Sequence, residues 1–401
     1  MGATLATASA ISKEIYQGTL QEQLNNATPL LSRIDKTSEG VESKVGGRYV
    51  VFPIHTRRNQ GIGARNELEQ LPTPGQQGTA SARVGLAYLY GGVQLSGQTL
   101  KLIDKDYQAF TSAFDLEVEG LRADLKLDLA RQLYGDGKGT IGKVTVASAT
   151  AVSTISVDRP DLFQLGEIVD YVLAADNTVS QAARTITAID LANKTVTVSG
   201  AAIATTAVGD YFVRTGNLNR EWVGLSAIVA NSGTIYNIDP TVEPVWKSTV
   251  NTNGGTSTAV SEGMFTKMSD DIYTTMGEVP TVIAMSLGVR RAYVNLLRSQ
   301  RQFVNTKEYA GGFSGIAFAT DNGEIPMFSD FMAPSGTSWF LNEKKLKIYR
   351  ESDWEWLTYN DSDVWQQVPG YDAFSSTLVQ YSQLGTRQRN AHGLITNITE
   401  E

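Results

Sequence analysis

The apolar positions of this chain change period repeatedly, and each change marks a different element. Over residues 1 to 45 they are sparse (Leu5, Ile11, Ile15, Tyr16, Leu20, Leu24, Leu30, Leu31, Ile34), with polar stretches between. This spacing predicts an arm, part of which can fold as a short helix that Pro29 should interrupt. From 46 to 97, two strand-like runs, RYVVFPI and RVGLAYLYGGVQLSG, flank HTRRNQGIGARNELEQLPTPGQQG at 55 to 78. That connector has four Gly, two Pro and no periodicity. Connections of about two dozen structureless residues are uncommon in compact domains and usually functional. An isolated two-stranded hairpin is marginal in water, so this arm must lie on its own domain or on a neighbouring copy.

The strongest helical signal follows, from about Asp106 to Tyr134. Tyr107, Phe110, Phe114, Val118, Leu121, Leu125, Leu129 and Leu133 recur every three or four positions as one stripe. Twenty-nine residues at 1.5 Å each make a rod about 43 Å long, far longer than an ordinary globular helix. GDGKG at 135 to 139 ends it. Between 140 and 215, short β-rich runs (GKVTVA, STISV, EIVDYVL, ARTITAI, KTVTVS, DYFVRT) alternate with turn residues. They predict a small β-barrel or sandwich inserted into a mixed domain. From 216 to 370 the pattern returns to α+β: SEGMFTKMSDDIYTTMG and SLGVRRAYVNLLRSQRQ read as helices around a buried strand, VPTVIAM. AFSSTLVQYSQLG and NAHGLITNI, within 371 to 401, read as strands, so the chain ends inside a sheet.

Composition narrows the picture. The chain has 401 residues, 41% hydrophobic and 19% charged, which suits a folded protein of two or three domains. No run approaches 18 apolar residues, and the start MGATLATASAISKEIYQ lacks the pattern of a signal peptide. With no cysteine, disulfides, thiolate catalysis, zinc ribbons and iron–sulfur clusters are excluded. A net charge of −8 argues against nucleic-acid binding through bulk charge.

The search for catalytic chemistry is mostly negative. His55 and His392 belong to different segments and to no metal-ligand spacing, and read as surface or strand histidines. GDGKGT at 135 to 140 fails the phosphate-loop pattern, and no GxSxG elbow occurs. Asp270 and Asp271 read as a solvated helix face. Two charged features are more informative. Arg57, Arg58, Arg65, Glu67 and Glu69 lie in and beside the hairpin connector, where both signs could set register between copies. Arg290, Arg291, Arg298 and Arg301 fall within roughly 100° of arc on one helix, with Val289, Tyr293, Leu296 and Leu297 on the other side. That stripe could meet acidic groups of an adjacent subunit, or phosphates. The cluster DWEWLTYNDSDVW places Trp354 and Trp356 two apart, on one face of a strand, with Trp365 beyond.

Arm, long two-stranded extension, rod helix, inserted β-domain, α+β domain and terminal strand, in that order, resemble the major capsid proteins of tailed bacteriophages with the Hong Kong 97-type fold. GGRYVVFPIHTRRNQGIGAR resembles the family's rising strand of the extended loop, and Phe114 to Gly142 its spine helix and exit. NREWVGLSAIVANSGTIYNIDPTVEPVWKSTV resembles the start of its apical domain. IPMFSDFMAPSGTSWFLN and LVQYSQLGTRQRNAHGLITNI resemble its closing segments. The resemblance implies an α+β fold divided into an arm (1–45), an extended loop (46–97), a spine helix with the start of a peripheral domain (98–139), an inserted β-domain (140–215), an apical domain with part of the peripheral one (216–370), and closing strands (371–401).

It further implies a structural protein, not an enzyme, without cofactor or metal, that self-assembles as hexamers and pentamers of an icosahedral shell around double-stranded DNA. A separate scaffolding protein, a portal and a decoration protein are the implied partners, with packaged DNA nearby and no membrane. Assembly would take place in the host bacterial cytoplasm, and the protein would reside in the virion. About 45 residues precede the extended loop, so a long fused scaffolding domain is not expected. Residues 45 to 100 contain no lysine, so a lysine–asparagine crosslink at the loop is not expected either. Two alternatives stand beside this reading. One is an encapsulin-like compartment shell of the same fold. The other is an enzyme or ligand-binding protein whose β-domain binds a small molecule.

Overall fold

The computed structural model describes residues 27–38, 41, 49–98, 107–299, 306–308, 314–320, 323–358 and 364–401. The chain divides into two compact units, Met1–Tyr134 with Ile228–Glu401, and Gly135–Ala227. Most of the expected arm (1–26) and Arg301 lie outside the described residues.

Among the described residues the first unit opens with a short helix, α1 (Pro29–Arg33), and a strand, β1 (Asp35–Thr37). The residues before 27, where an interrupted helix would lie, are outside the described residues, and Pro29 starts this helix. Its missing N–H costs nothing in the first turn, and its fixed φ suits that position. Strands β2 (Tyr49–Arg57) and β3 (Gly78–Gly85) form a two-stranded sheet, and β4 (Ala87–Ser96) leads toward the rod helix α2 (Tyr107–Tyr134). Of the expected stripe, Leu125, Leu129 and Leu133 are buried and Leu121 is half-buried.

The second unit is all β: β5 (Thr140–Lys143), β6 (Thr154–Ser156), β7 (Ile168–Val172), β8 (Val179–Asp190), β9 (Thr195–Val198) and β10 (Tyr211–Arg214). They lie in the order β5-β10-β7-β8-β9-β6. The two end strands are then joined, because Val144 bridges Val157 and Thr145 N–H donates to the Ser156 carbonyl at 3.0 Å. The sheet therefore closes as a small barrel, which removes its free edges. Its interior holds Ile141, Val157, Phe163, Val169, Ile186 and Phe212. The buried Asp210 carboxylate accepts from the Tyr171 hydroxyl at 2.5 Å and from the N–H groups of Ala174 and Ala207. This buried charge is held by three donors, as burial demands.

The chain then returns to the first unit through β11 (Thr249–Asn251), α3 (Glu262–Met276), β12 (Val282–Met285), α4 (Leu287–Ser299), β13 (Thr306–Glu308), β14 (Ser314–Thr320), β15 (Gly323–Ser329) and β16 (Ser338–Leu341). It ends with β17 (Leu346–Arg350), β18 (Glu355–Trp356), β19 (Gln366–Gln367), β20 (Ala373–Thr386) and β21 (Gly393–Ile395). Two sheets result. One runs β11-β21-β16-β12-β15-β14-β13. The other is built on β20, which pairs with β17, β18, β19 and β4, with β1 beyond β17. The Ser261 hydroxyl caps α3 by accepting from Met264 N–H, and Gly277 closes it at φ 81°. Phe265 of α3 stacks on Tyr293 of α4 and meets Phe318 and Phe340 of the seven-stranded sheet edge-on.

The closing strands were expected to complete one sheet, and they serve both. Between β20 and β21 the chain carries two buried polar anchors. The Arg389 guanidinium donates to the carbonyls of Ile228, Ser232, Gly233 and Trp246, pinning that loop, and burial lowers its pKa to about 10. His392 was expected at the surface or on a strand, and it is wholly buried beside β21. Its Nδ1 accepts from Asn342 N–H at 3.3 Å, so Nε2 carries the proton toward Thr386 Oγ1 at 3.1 Å. Burial pushes its pKa from 6.5 down to about 3.

Above 6.5 both folded and unfolded chains hold this imidazole neutral. Below it, only the unfolded chain takes the proton, and stability erodes from pH 6.5 toward about 3. Each pH unit in that window costs about 1.4 kcal/mol from this group. Thermal unfolding of the unassembled protein should lose its midpoint steadily between pH 6.5 and 4, and a His392→Gln variant should show a flatter profile over the same range.

Candidate assembly interface

The hairpin is built by alternation. In β2 and β3, Val50, Phe52, Ala82 and Val84 are buried, whereas Tyr49, Val51, Pro53, His55, Arg83 and Ser81 face outward. Cross-strand register keeps the buried set on one side, since Val50 faces Val84 and Phe52 faces Ala82. Phe52 stacks on Tyr349 of β17 at 6.4 Å, and the Arg387 guanidinium lies 5.6 Å from its ring centre. Arg83 N–H donates to the Tyr236 carbonyl at 3.0 Å. The base is thus fixed to its own unit by apolar packing and by a backbone hydrogen bond.

Beyond the base, residues 58 to 77 are mostly exposed. The charged residues singled out from the sequence behave differently from one another. Arg57 makes a two-pronged ion pair with Glu243 of its own chain, with 2.7 Å for the shorter contact. This pairing holds the Glu243 carboxyl below the usual range. Arg65 donates to the carbonyls of Ala64 and Gln70, and Glu69 accepts from Asn66 backbone and side chain. Arg58 and Glu67 are exposed with no hydrogen bond or ion pair among the described residues. Arg290 and Arg291 are exposed on α4, and Arg291 bonds the terminal residue Glu401. Arg298 belongs to α4, and Arg301 lies outside the described residues. Of the four, Arg290, Arg291 and Arg298 share helix α4.

The Trp cluster is also less regular than its spacing suggested. The strand there is only Glu355–Trp356, so Trp354 lies outside it, and Trp356 meets Trp365 at 6.5 Å. Sequence reasoning missed three exposed apolar residues of the tip: Ile62, Leu68 and Leu71 at 86%, 100% and 78% exposure. The signal was present, because these are the tip's only large aliphatics. Sequence reasoning also missed the open face of the β4–β20 ladder. Tyr88 and Tyr90 stand on it at 52% and 53% exposure, both against the Tyr381 ring. The opposite face carries α2: a Cβ on Gly91 would fall 2.7 Å from Leu125 Cδ1. Among the described residues no cluster of three His, Asp or Glu is placed to hold a metal ion. No helix among them is long and apolar enough to cross a membrane.

A hairpin projecting from a helix-backed sheet, beside a second sheet flanked by two helices, is the architecture of a phage head-shell subunit. The structure of the cyanophage A-1(L) capsid asymmetric unit superposes with a TM-score of 0.60 at 14% identity, covering 98% of both chains. The capsid of Myoviridae phage XM1 is similar at a TM-score of 0.47 and 9% identity, over 98% of this chain and 99% of that one. An encapsulin complex from Synechococcus elongatus gives 0.46 at 10% identity, over 99% and 96%. A comparison with curated proteins finds no match. Residues 201–399, about half of the chain, match the SU10 major capsid protein family. The chain belongs to the major capsid proteins of tailed bacteriophages, structural proteins with the Hong Kong 97-like fold.

The base of the hairpin depends on Phe52. Truncating a buried phenylalanine to alanine costs about 3 to 5 kcal/mol. A Phe52→Ala variant should exchange its amides faster over 49–57 and 78–85, while those of Gly135–Ala227 keep their protection in hydrogen-exchange mass spectrometry.

Proposed function

We propose that copies of this chain assemble into hexamers and pentamers of an icosahedral head, and that the hairpin is the element that joins neighbours. The observation that carries this reading is the hairpin itself. Its base is buried against its own unit, but its tip leaves three large aliphatic side chains in water. Three exposed large aliphatic side chains on one projecting connector are explained by a complementary surface on another copy. Each copy would add one modest contact of this kind, and closure of the shell sums them.

The barrel unit supports the reading of an insertion. It is compact in its own right, and the chain enters it at Gly135 and leaves it at Ala227. On this reading, a scaffolding protein, a portal and a decoration protein act on the assembled shell, and assembly takes place in the host bacterial cytoplasm. The compartment-shell alternative predicts a copurifying enzyme in place of DNA.

Deleting residues 58–77 and closing the gap with a two-residue turn should leave a folded protein that forms no closed shells. Light scattering after size exclusion and electron microscopy read both properties, and normal shells from this variant would overturn the role given to the hairpin. Excising Thr140–Thr215 across a short glycine linker should leave the remaining unit with a cooperative thermal transition by circular dichroism.

A further inference from the structure

Leu68 sits where a leucine is disfavoured. Residues 66 to 69 form a turn, with Glu69 N–H donating to the Asn66 carbonyl at 3.2 Å. Leu68 is the third residue of that turn, at φ 68°. That left-handed position favours glycine or asparagine, because any larger side chain crowds its own backbone. Leu68 is also fully exposed. The fold of one chain therefore gains nothing from this leucine and is strained by it. Strain of this kind persists where a side chain has work outside the local structure.

The open face of the β4–β20 ladder offers the complementary surface. Register aligns two rows across the strands. Tyr88 faces Tyr381, whose carbonyl accepts from Glu351 N–H at 3.0 Å. Tyr90 faces Val379, which faces Glu355. Directly opposite residues of antiparallel strands share a face, so tyrosines and glutamates line one surface. Next to them Gly92 faces Thr377, and a Cβ at Gly92 would meet nothing within 4 Å. The face is thus aromatic, with open space at Gly92 and an acidic border. An exposed leucine, Pro72 and Pro74, and Arg58, which has no partner among the described residues, suit it in chemistry and charge: aliphatic groups pack on phenol rings, and a guanidinium pairs with rings or carboxylates.

We propose that Leu68 is the docking anchor of the hairpin, and that on a second copy of this chain it seats on the face carrying Tyr88, Tyr90 and Tyr381, bordered by Glu351 and Glu355. The inference rests on the hairpin joining neighbours and adds which residue anchors it and what receives it.

The test uses the full-length chain. A photocrosslinking amino acid at position 68 is irradiated in particles assembled from mixed light- and heavy-isotope protein. Crosslinks joining light and heavy chains at residues 88–92, 351–355 or 377–381 are expected. Intermolecular crosslinks that map elsewhere, or none at all, overturn the receiving face. A Leu68→Gly variant relieves the turn, so its thermal midpoint should stay level or rise, whereas the protein concentration needed for assembly should increase about tenfold or more. Unchanged assembly by Leu68→Gly overturns the anchor role. A pair of charge reversals, Glu351→Lys with Glu355→Lys, should impair assembly, and Arg58→Glu in the same chain should restore part of it. If the 58–77 deletion abolishes shells while crosslinks map to another surface, the hairpin keeps its role and this inference alone falls.

Discussion

The pairing of β4 with β20 is the constraint on which the first unit depends. Ten residues of β4 lie in unbroken antiparallel register on β20, from Ala87 opposite Ser382 to Ser96 opposite Ala373. Along its other edge β20 pairs with β17, β18 and β19. One strand of 14 residues therefore pairs with four others, and β1 joins the sheet through β17. Its period of two fixes everything else: one face of the ladder takes α2 through Gly91, and the other takes the hairpin base near Gly385 and leaves the tyrosines open. A slip of one residue would exchange these faces. It would drive Leu378 out from under the helix and put Tyr381 there instead.

The junction between β20 and β21 extends that constraint to the second sheet. Consecutive strands of one segment enter different sheets, and only a single 3-10 turn, Arg389–Ala391, lies between them, so side chains must hold the junction. Arg389 and His392 do this by opposite means. The guanidinium presents its donors in a rigid fork, and four backbone carbonyls of the 228–246 loop fill it. No carboxylate is needed, because carbonyl dipoles supply partial negative charge at each donor. The imidazole gives up its charge, which leaves a neutral group that accepts on one side and donates on the other. At pH values near neutrality both are stable buried, and only the imidazole is exposed to acid.

Much of the architecture was legible because it rests on period. The α2 stripe, the alternation of β2 and β3, and the short β runs of the barrel all follow from which positions must avoid water. Helix ends were legible where a residue type has one role, as with Gly277 and GDGKG. What could not be read depends on partners far away in sequence. Pro29 looks like a helix breaker until its place at the first position is known. Arg389 looks like a surface arginine, and its acceptors lie some 140 to 160 residues earlier. Trp354 and Trp356 are spaced for a strand, and the strand there is too short to hold both. On the proposed assembly surface the charges were visible in the sequence, and the fold shows that Arg57, Arg65 and Glu69 have hydrogen-bond partners within their own chain. The apolar residues Ile62, Leu68 and Leu71 carry the information, since exposure and a positive φ are properties of the folded tip.

The absence of cysteine gives these weak features their weight. The hairpin contains neither cysteine nor lysine between 45 and 100, so the contacts proposed for it are reversible, non-covalent ones. Reversible contacts suit a shell that corrects misplaced subunits before it closes. Each must be strong enough to bias the next addition and weak enough to break. A single exposed leucine on a strained turn, meeting a half-exposed aromatic surface, lies in that range: full burial of such a side chain contributes about 1.5 to 3 kcal/mol. Multiplied over every neighbour in a closed shell, a contact of that size becomes effectively irreversible while remaining labile for any one copy.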